Sequence, residues 1–486
     1  VKKHIAFKAL TIMLVAGCIF FAPDTGNAQN DDWSVSAANW MQYWYFKDAP
    51  SIYQDAKRDS LDNRFIVDFD LGDFYTGMWL NVLQIDRPDV SSEEMTQRYF
   101  GWHEGGFTIH AGNFYQVFDK GLVLNTFLDD VVYFDNNLDG IKVSGLYDRF
   151  EFDAFSARGL NSNFGTRDYI LRGVRSAINL SEQFKFGLSY VRFKQNDPME
   201  FSRAANANIF GINRRFIMGP VDLYIEYAQK RGRNLEFFPE TNGDGTYASG
   251  SINFEKISFY SEYLNMVNLL YPNPLNAFNS PPSLSHSGRT LTSLAGVAGE
   301  RGYQIGTLIS PTFDINFDFS FSESFSRNAP ENAYLAEKYS GVRWSLSSDI
   351  VVNYNWDRID FSIEDEIENY LDIYYYLRQT TTLSLVAYTR RFMPSLGEDY
   401  HENYLTLGCG IANKFQINIG GSTSNWDTNP EEDPRKMAFV ELTVRFPNHE
   451  LVIFNGGERG GLICSSGICQ NRPTFQGTRV VLFSRF

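Results

Sequence analysis

The chain has 486 residues and a formal net charge of −15, with 43 Lys and Arg against 58 Asp and Glu. That balance disfavours nucleic acid as a partner. Aromatics reach 16%, with 42 Phe and 27 Tyr, yet mean hydropathy is −0.30. Beyond the N-terminus no segment is long and apolar enough for a membrane helix. Heavy aromatic use without continuous apolar runs fits a membrane β-barrel, whose strands are apolar on one face and whose aromatics form two interfacial girdles.

Residues 1–28 read as a secretory signal peptide. Lys2, Lys3 and Lys8 supply the positive region, Ala9 to Ala22 the apolar one, and Gly26-Asn27-Ala28 a small-x-small cleavage site. Val15-Ala16-Gly17-Cys18 resembles a lipobox, which would lipidate Cys18, but Ile19-Phe20-Phe21 continue the apolar run where a lipoprotein turns polar. Residues 29–486 are expected to form one domain, since no linker, charge run or change of composition divides them. Strand-like sequence starts soon after the cleavage site and runs to Phe486, so neither an N-terminal plug domain nor an appended C-terminal domain is expected.

Along the remainder, alternating segments recur. FKFGLSY sets Phe184, Phe186, Leu188 and Tyr190 opposite Lys185, Gly187 and Ser189. VDLYIEY sets Val221, Leu223, Ile225 and Tyr227 opposite Asp222, Tyr224 and Glu226. FDINFDFSF sets Phe313, Ile315, Phe317, Phe319 and Phe321 opposite Asp314, Asn316, Asp318 and Ser320. Period two predicts strands with one apolar and one polar face. A soluble sandwich would show the same alternation; the signal peptide and the apolar strand at the end favour the barrel.

Short connections alternate with long ones. The short ones are Gly72-Asp73, Gly105-Gly106, Asp148-Arg149, Gly219-Pro220 and Glu255-Lys256, most of them residues suited to tight turns. The long ones include 47–62, 86–96, 126–137, 195–205, 231–245 and the Pro/Ser-rich 266–300. Outer-membrane barrels have short periplasmic turns and long outer loops, so the fold class predicted is all-β: a transmembrane antiparallel barrel of about 22 strands (range 20–24). No turns can be placed cleanly within 339–392.

Four features carry candidate chemistry. Asp135, Asn137 and Asp139 begin like a calcium loop, but the twelfth position is Leu146 rather than a bidentate Glu, and an Asx-rich turn entering a strand explains them better. RIDFSIEDEIEN places Asp360, Ser362, Glu364, Glu366 and Glu368 on one face. This predicts an acidic stripe in the lumen, either free to attract cations or neutralised by lumenal arginines such as Arg172, Arg175, Arg214 or Arg390. Cys464 and Cys469 form C-x4-C with no further pair of ligands at zinc-site spacing, so a local disulfide is expected in an oxidising compartment, leaving Cys409 a single thiol. Phe486, ending the aromatic strand GTRVVLFSRF, matches the segment that barrel-assembly machinery recognises. His103, His110, His286, His401 and His449 have no nucleophile context, so no enzyme and no cofactor are expected.

GNFYQVFDKGLVLNTF (112–127) with NNLDGIKV (136–143), together with the closing ERGGLICSSGIC and terminal SRF, resembles a family of outer-membrane barrel proteins from Bacteroidota and related bacteria. The resemblance implies fold and location but no substrate. The functional expectation is a porin-like channel for small hydrophilic solutes, favouring cations, with loop 266–300 setting the bore. The alternative is a closed structural or surface-interaction barrel acting through its outer loops. Expected partners are outer-membrane lipid, the assembly machinery, and divalent cations shared between surface acids and anionic headgroups.

Overall fold

A computed structural model describes residues 33–486 except 47–58, 85–91, 130, 133, 162–165, 196–205, 234–241, 272–276, 292–293, 295–298, 328–332, 363, 379, 396, 426–435, 466–467 and 473. The signal peptide expected at 1–28, with Cys18, lies outside the described residues. Twenty-four strands form one antiparallel sheet in which each barrel strand pairs with its neighbours in the chain. The last strand, Phe475–Arg485, pairs with the first, Ser34–Phe46, from Ala38↔Arg485 to Phe46↔Gly477. The barrel is therefore closed. Beyond the last strand, the Phe486 N–H donates to Ala37 O at 2.8 Å and its carbonyl accepts from the Ala37 N–H at 3.1 Å, while its ring meets His449 edge-on.

The predicted alternation sets the faces. Leu223, Ile225 and Tyr227 are exposed on the outside of Val221–Arg233, whereas Glu226 and Ala228 are buried inside. On Ile315–Ser326, Phe319 and Phe325 face outward and Ser320, Ser322 and Ser324 inward. Cys409 sits outward between the exposed Leu407 and Ile411 and is a free thiol.

The tight turns fall where the sequence places them. Gly72, Gly105, Gly106 and Gly219 take positive φ of 54–87° and Asp148 takes 50°, conformations that glycine adopts without a Cβ clash. Both ends of the barrel chain lie on this side, and the long connections lie on the other, which is the extracellular side by the length rule.

The strand total is 24 where turn counting predicts about 22. The stretch in which no turns could be placed cleanly, 339–392, folds as Tyr334–Ser347, Ile350–Phe361, Glu364–Tyr376 and Thr381–Pro394. Only two residues separate Phe361 from Glu364 although this connection lies on the loop side, so the short-long rhythm fails there. A second difference concerns 115–125. The sequence reading begins the long connection at 126, but the barrel strand ends at Phe114 and resumes at Leu138. Between them the chain turns into the lumen.

A charge on the outer face tests this assignment of faces. Phe319→Arg should destabilise the folded barrel by roughly 2–4 kcal/mol near the membrane midplane, read as an earlier urea midpoint in lipid vesicles. An unchanged midpoint would mean that Phe319 faces the lumen.

Candidate functional site

Two inward-folded segments occupy the lumen, one described over 115–129, 131–132 and 134–137 and the other over 268–271, 277–291 and 294. The first carries two short ladders, Val117–Phe118 with Leu124–Asn125 and Leu128–Asp129 with Phe134–Asp135. Phe118, Leu122, Val123 and Leu124 are fully buried. They join Tyr271 and Phe278 of the second segment, and Phe155, Leu171, Phe193, Ile209 and Tyr247 of the wall, in one apolar cluster. Fully burying one such side chain stabilises by about 1.5–3 kcal/mol, so the cluster holds both segments as folded structure.

Polar bonds lock the segments to each other. Asn279, fully buried, accepts from the Tyr271 N–H at 2.8 Å and donates to Leu122 O at 2.9 Å and Leu269 O at 3.3 Å. The Asn125 N–H donates to Phe278 O at 2.7 Å, and its side chain donates to Ser280 O at 3.0 Å. Asn136 Nδ2 reaches Ala277 O at 3.1 Å. Gly121, at φ 92°, approaches so closely that a Cβ would lie 2.3 Å from Ser280 O.

The plug is tied to the wall by charge. The Lys120 N–H donates to Glu226 at 2.9 Å, and Arg175 reaches Asp119 at 2.9 Å and Asp153 at 3.3 Å. Burial pushes the Asp119 carboxyl up despite the Arg175 guanidinium beside it. On the second segment, both oxygens of Glu337 accept backbone N–H groups, from His286 at 2.6 Å and Ser287 at 2.8 Å. The His286 ring stacks on Tyr339 with centroids 3.5 Å apart. Between these contacts and the periplasmic turns lies a cavity of about 360 Å³, lined by Lys120, Arg175, Lys185, Arg215, Tyr224 and Glu262 among others.

The acidic stripe is partly assembled. Glu366 and Glu368 face the lumen and share two arginines: Arg289 of the second segment, at 2.7 and 3.5 Å, and Arg390 of the wall, at 2.5 and 2.9 Å. Burial works against the Arg289 cation, but Glu366 and Glu368 outweigh it and hold its pKa above the usual guanidinium range. Glu364 shares their face. Asp360 does not: the turn at 362–363 folds the run into a hairpin in which Ile359 opposes Glu366 and Asp360 opposes Asp365. Asp360 therefore lies on the outward face, bound to Arg358 at 2.7 Å. One continuous strand was the wrong premise for that residue. Of the four arginines expected to neutralise the stripe, Arg390 does so; Arg172 and Arg214 point outward, and Arg175 serves the other segment. Arg289 was the partner that the sequence did not flag.

The remaining candidates are placed as follows. Asp135 accepts from the Asn137 N–H at 2.9 Å, from its side chain, and from Tyr115 at 3.1 Å, while Asn137 also accepts from Asn113. This is the Asx turn. Asp139 lies on the following strand, opposite Arg158, and no cluster of three or more metal-binding side chains occurs among the described residues. Cys464 and Cys469 are direct register partners in the hairpin Gly461–Ser465 with Ile468–Arg472. His110 is buried beside Tyr75 and Asn113.

The model of the family of unknown function DUF6029 matches residues 5–271, more than half of the chain, and the chain belongs to that family. No curated protein matches it. Among solved structures, the chain resembles one in the E. coli P pilus tip assembly intermediate PapC-PapD-PapK-PapG, with TM-score 0.56 and 11% identity over 93% of this chain. It spans 60% of that longer chain. The P pilus usher (PapC) translocation pore gives 0.47 at 10% identity, covering 93% of this chain and 99% of that one. Pseudomonas aeruginosa OccK3 (OpdO) gives 0.43 at 12%, covering 73% and 96%. At these identities the likeness concerns fold. With its closed 24-stranded architecture and outward band of exposed large hydrophobics, this is a multi-pass β-barrel of the outer membrane.

Gly121→Val should weaken docking between the two segments by about 1–3 kcal/mol, since it combines a strained φ with a clash. Hydrogen exchange should then speed up at 117–125 and 277–291 and stay unchanged in the barrel strands. Equal exchange in both proteins would mean that the contact is not needed.

Proposed function

We propose that the protein is a porin-like channel for small hydrophilic solutes, its bore narrowed by the two inward segments. One observation carries the reading: the segments line part of the wall. Their described bonds and apolar contacts run to strands between Ser92 and Tyr376. A circular barrel of 24 strands at ~4.8 Å spacing and ~40° tilt is roughly 45–50 Å across its backbone, wider than the two segments fill. The arc beyond them presents Gln416, Asn418, Glu441, Thr443, Arg445 and Glu450 to the lumen, several paired laterally, as in Asn418 to Glu441 at 3.0 Å and Arg445 to Glu450 at 2.6 Å. Such a lining suits water and polar solutes.

The cation preference expected from the acidic stripe loses its basis, because Arg289 and Arg390 compensate Glu366 and Glu368. The second reading, a closed barrel acting through its loops, draws on the size of the apolar cluster, which is that of a folded core rather than a loose constriction.

Planar-bilayer recording separates the two. Removing 277–291 should raise single-channel conductance several-fold, and Arg289→Ala should raise the frequency of openings. A folded barrel that stays silent with and without the segment would overturn the channel and favour the closed scaffold.

In the extracellular hairpin, direct register puts the Cα atoms of Cys464 and Cys469 within the separation a disulfide spans. We include that bond in the proposal, as a clamp on the loop tip. Non-reduced digests should yield the two cysteines in one linked species; two alkylated thiols from protein secreted under oxidising conditions would rule it out.

A further inference from the structure

We propose that the outward face of four adjacent strands, at their extracellular ends, docks phosphorylated headgroups of the surrounding lipid. The strands are Thr166–Ser181, Phe184–Gln195, Asn206–Met218 and Val221–Arg233. Their register aligns Arg172↔Arg192↔Asn208↔Arg231 in one row across the sheet. Lys194 follows Arg192 on the same face, two residues nearer the loops. Arg172, Arg192, Lys194 and Arg231 are all exposed. Among the described residues, no carboxylate lies within ion-pair distance of any of the four. Among the described side chains, the outward acids near the patch stand at its edges, Asp139 opposite Arg158 and Asp244 opposite Gln229.

Two physical points turn this row into a site. Arg172 and Arg192 are directly opposite across neighbouring strands, and like charges so placed repel and destabilise the sheet unless an anion lies between them. They also cannot swing inward, because at this height the inner face is apolar: Leu171, Val191, Phe193 and Ile209 are fully buried against the plug. The row immediately toward the periplasm is Val174↔Tyr190↔Phe210, 46%, 38% and 49% exposed, on the same outward face. The cations thus stand at the upper edge of the lipid-facing band, where the acyl region gives way to headgroups. Whatever covers Phe210 also covers Arg192. A guanidinium pair takes a phosphate by two-pronged hydrogen bonding, and a phosphorylated lipid supplies acyl chain and phosphate together.

The test uses the full chain folded in uncharged, phosphate-free detergent and titrated with bis-phosphorylated lipid A or its dephosphorylated form, with bound lipid counted by native mass spectrometry. Wild type should retain the phosphorylated lipid at least ~10-fold better. The pair R172Q with R192Q should bind both forms alike and, without lipid, should unfold at a higher temperature than wild type because the repulsion is gone. R172K with R192K keeps the charge but not the fork, and should fall between; it also serves if the Gln pair does not fold. Binding that ignores the phosphates, a Gln pair that binds like wild type, or full displacement by millimolar inorganic phosphate would each overturn the assignment to lipid.

Discussion

Every feature of this molecule depends on one constraint, that backbone N–H and C=O groups cannot be left unpaired in lipid. A chain of short alternating strands meets it only by closing, and closure here joins Ser34–Phe46 to Phe475–Arg485. With 24 strands the closed sheet surrounds a lumen too wide for wall side chains to meet across it. Whatever narrows it must come from the connections.

The plug answers that geometry at one side of the wall. Its apolar residues need an apolar partner, and the inner face of the barrel supplies one where Leu171, Val191, Phe193 and Ile209 point inward. Because period two sends neighbouring residues to opposite faces, the same short stretches send Arg172, Arg192 and Lys194 outward. The inner apolar seat and the outer basic row are thus two sides of one arrangement. A change that undocks the plug would leave apolar surface in water on the inside without touching the charges outside.

The legible part of the fold is the part that repeats. Strand faces followed from alternation in VDLYIEY and FDINFDFSF, and orientation followed from the Gly-rich turns. Where local pattern and tertiary fate diverge, the sequence misleads. VFDKGLVL lies before the long connection counted from 126 but becomes plug, because burial against the lumenal wall rewards its apolar residues. RIDFSIEDEIEN reads as one strand because Ser362 and Ile363 carry no turn signal, and the reversal there sends Asp360 to the opposite face from Glu366. Arg289, more than 75 residues from the carboxylates it binds, had no local mark at all.

By itself, then, the sequence determined the class and, along the cleanly alternating strands, which face is apolar, since each depends on neighbours along the chain or on the next strand. The tertiary structure alone decided what fills the lumen, which charges meet there and which stand outside. Those outcomes depend on loops returning across a wide barrel to partners far away in sequence, and no period along the chain records such a meeting.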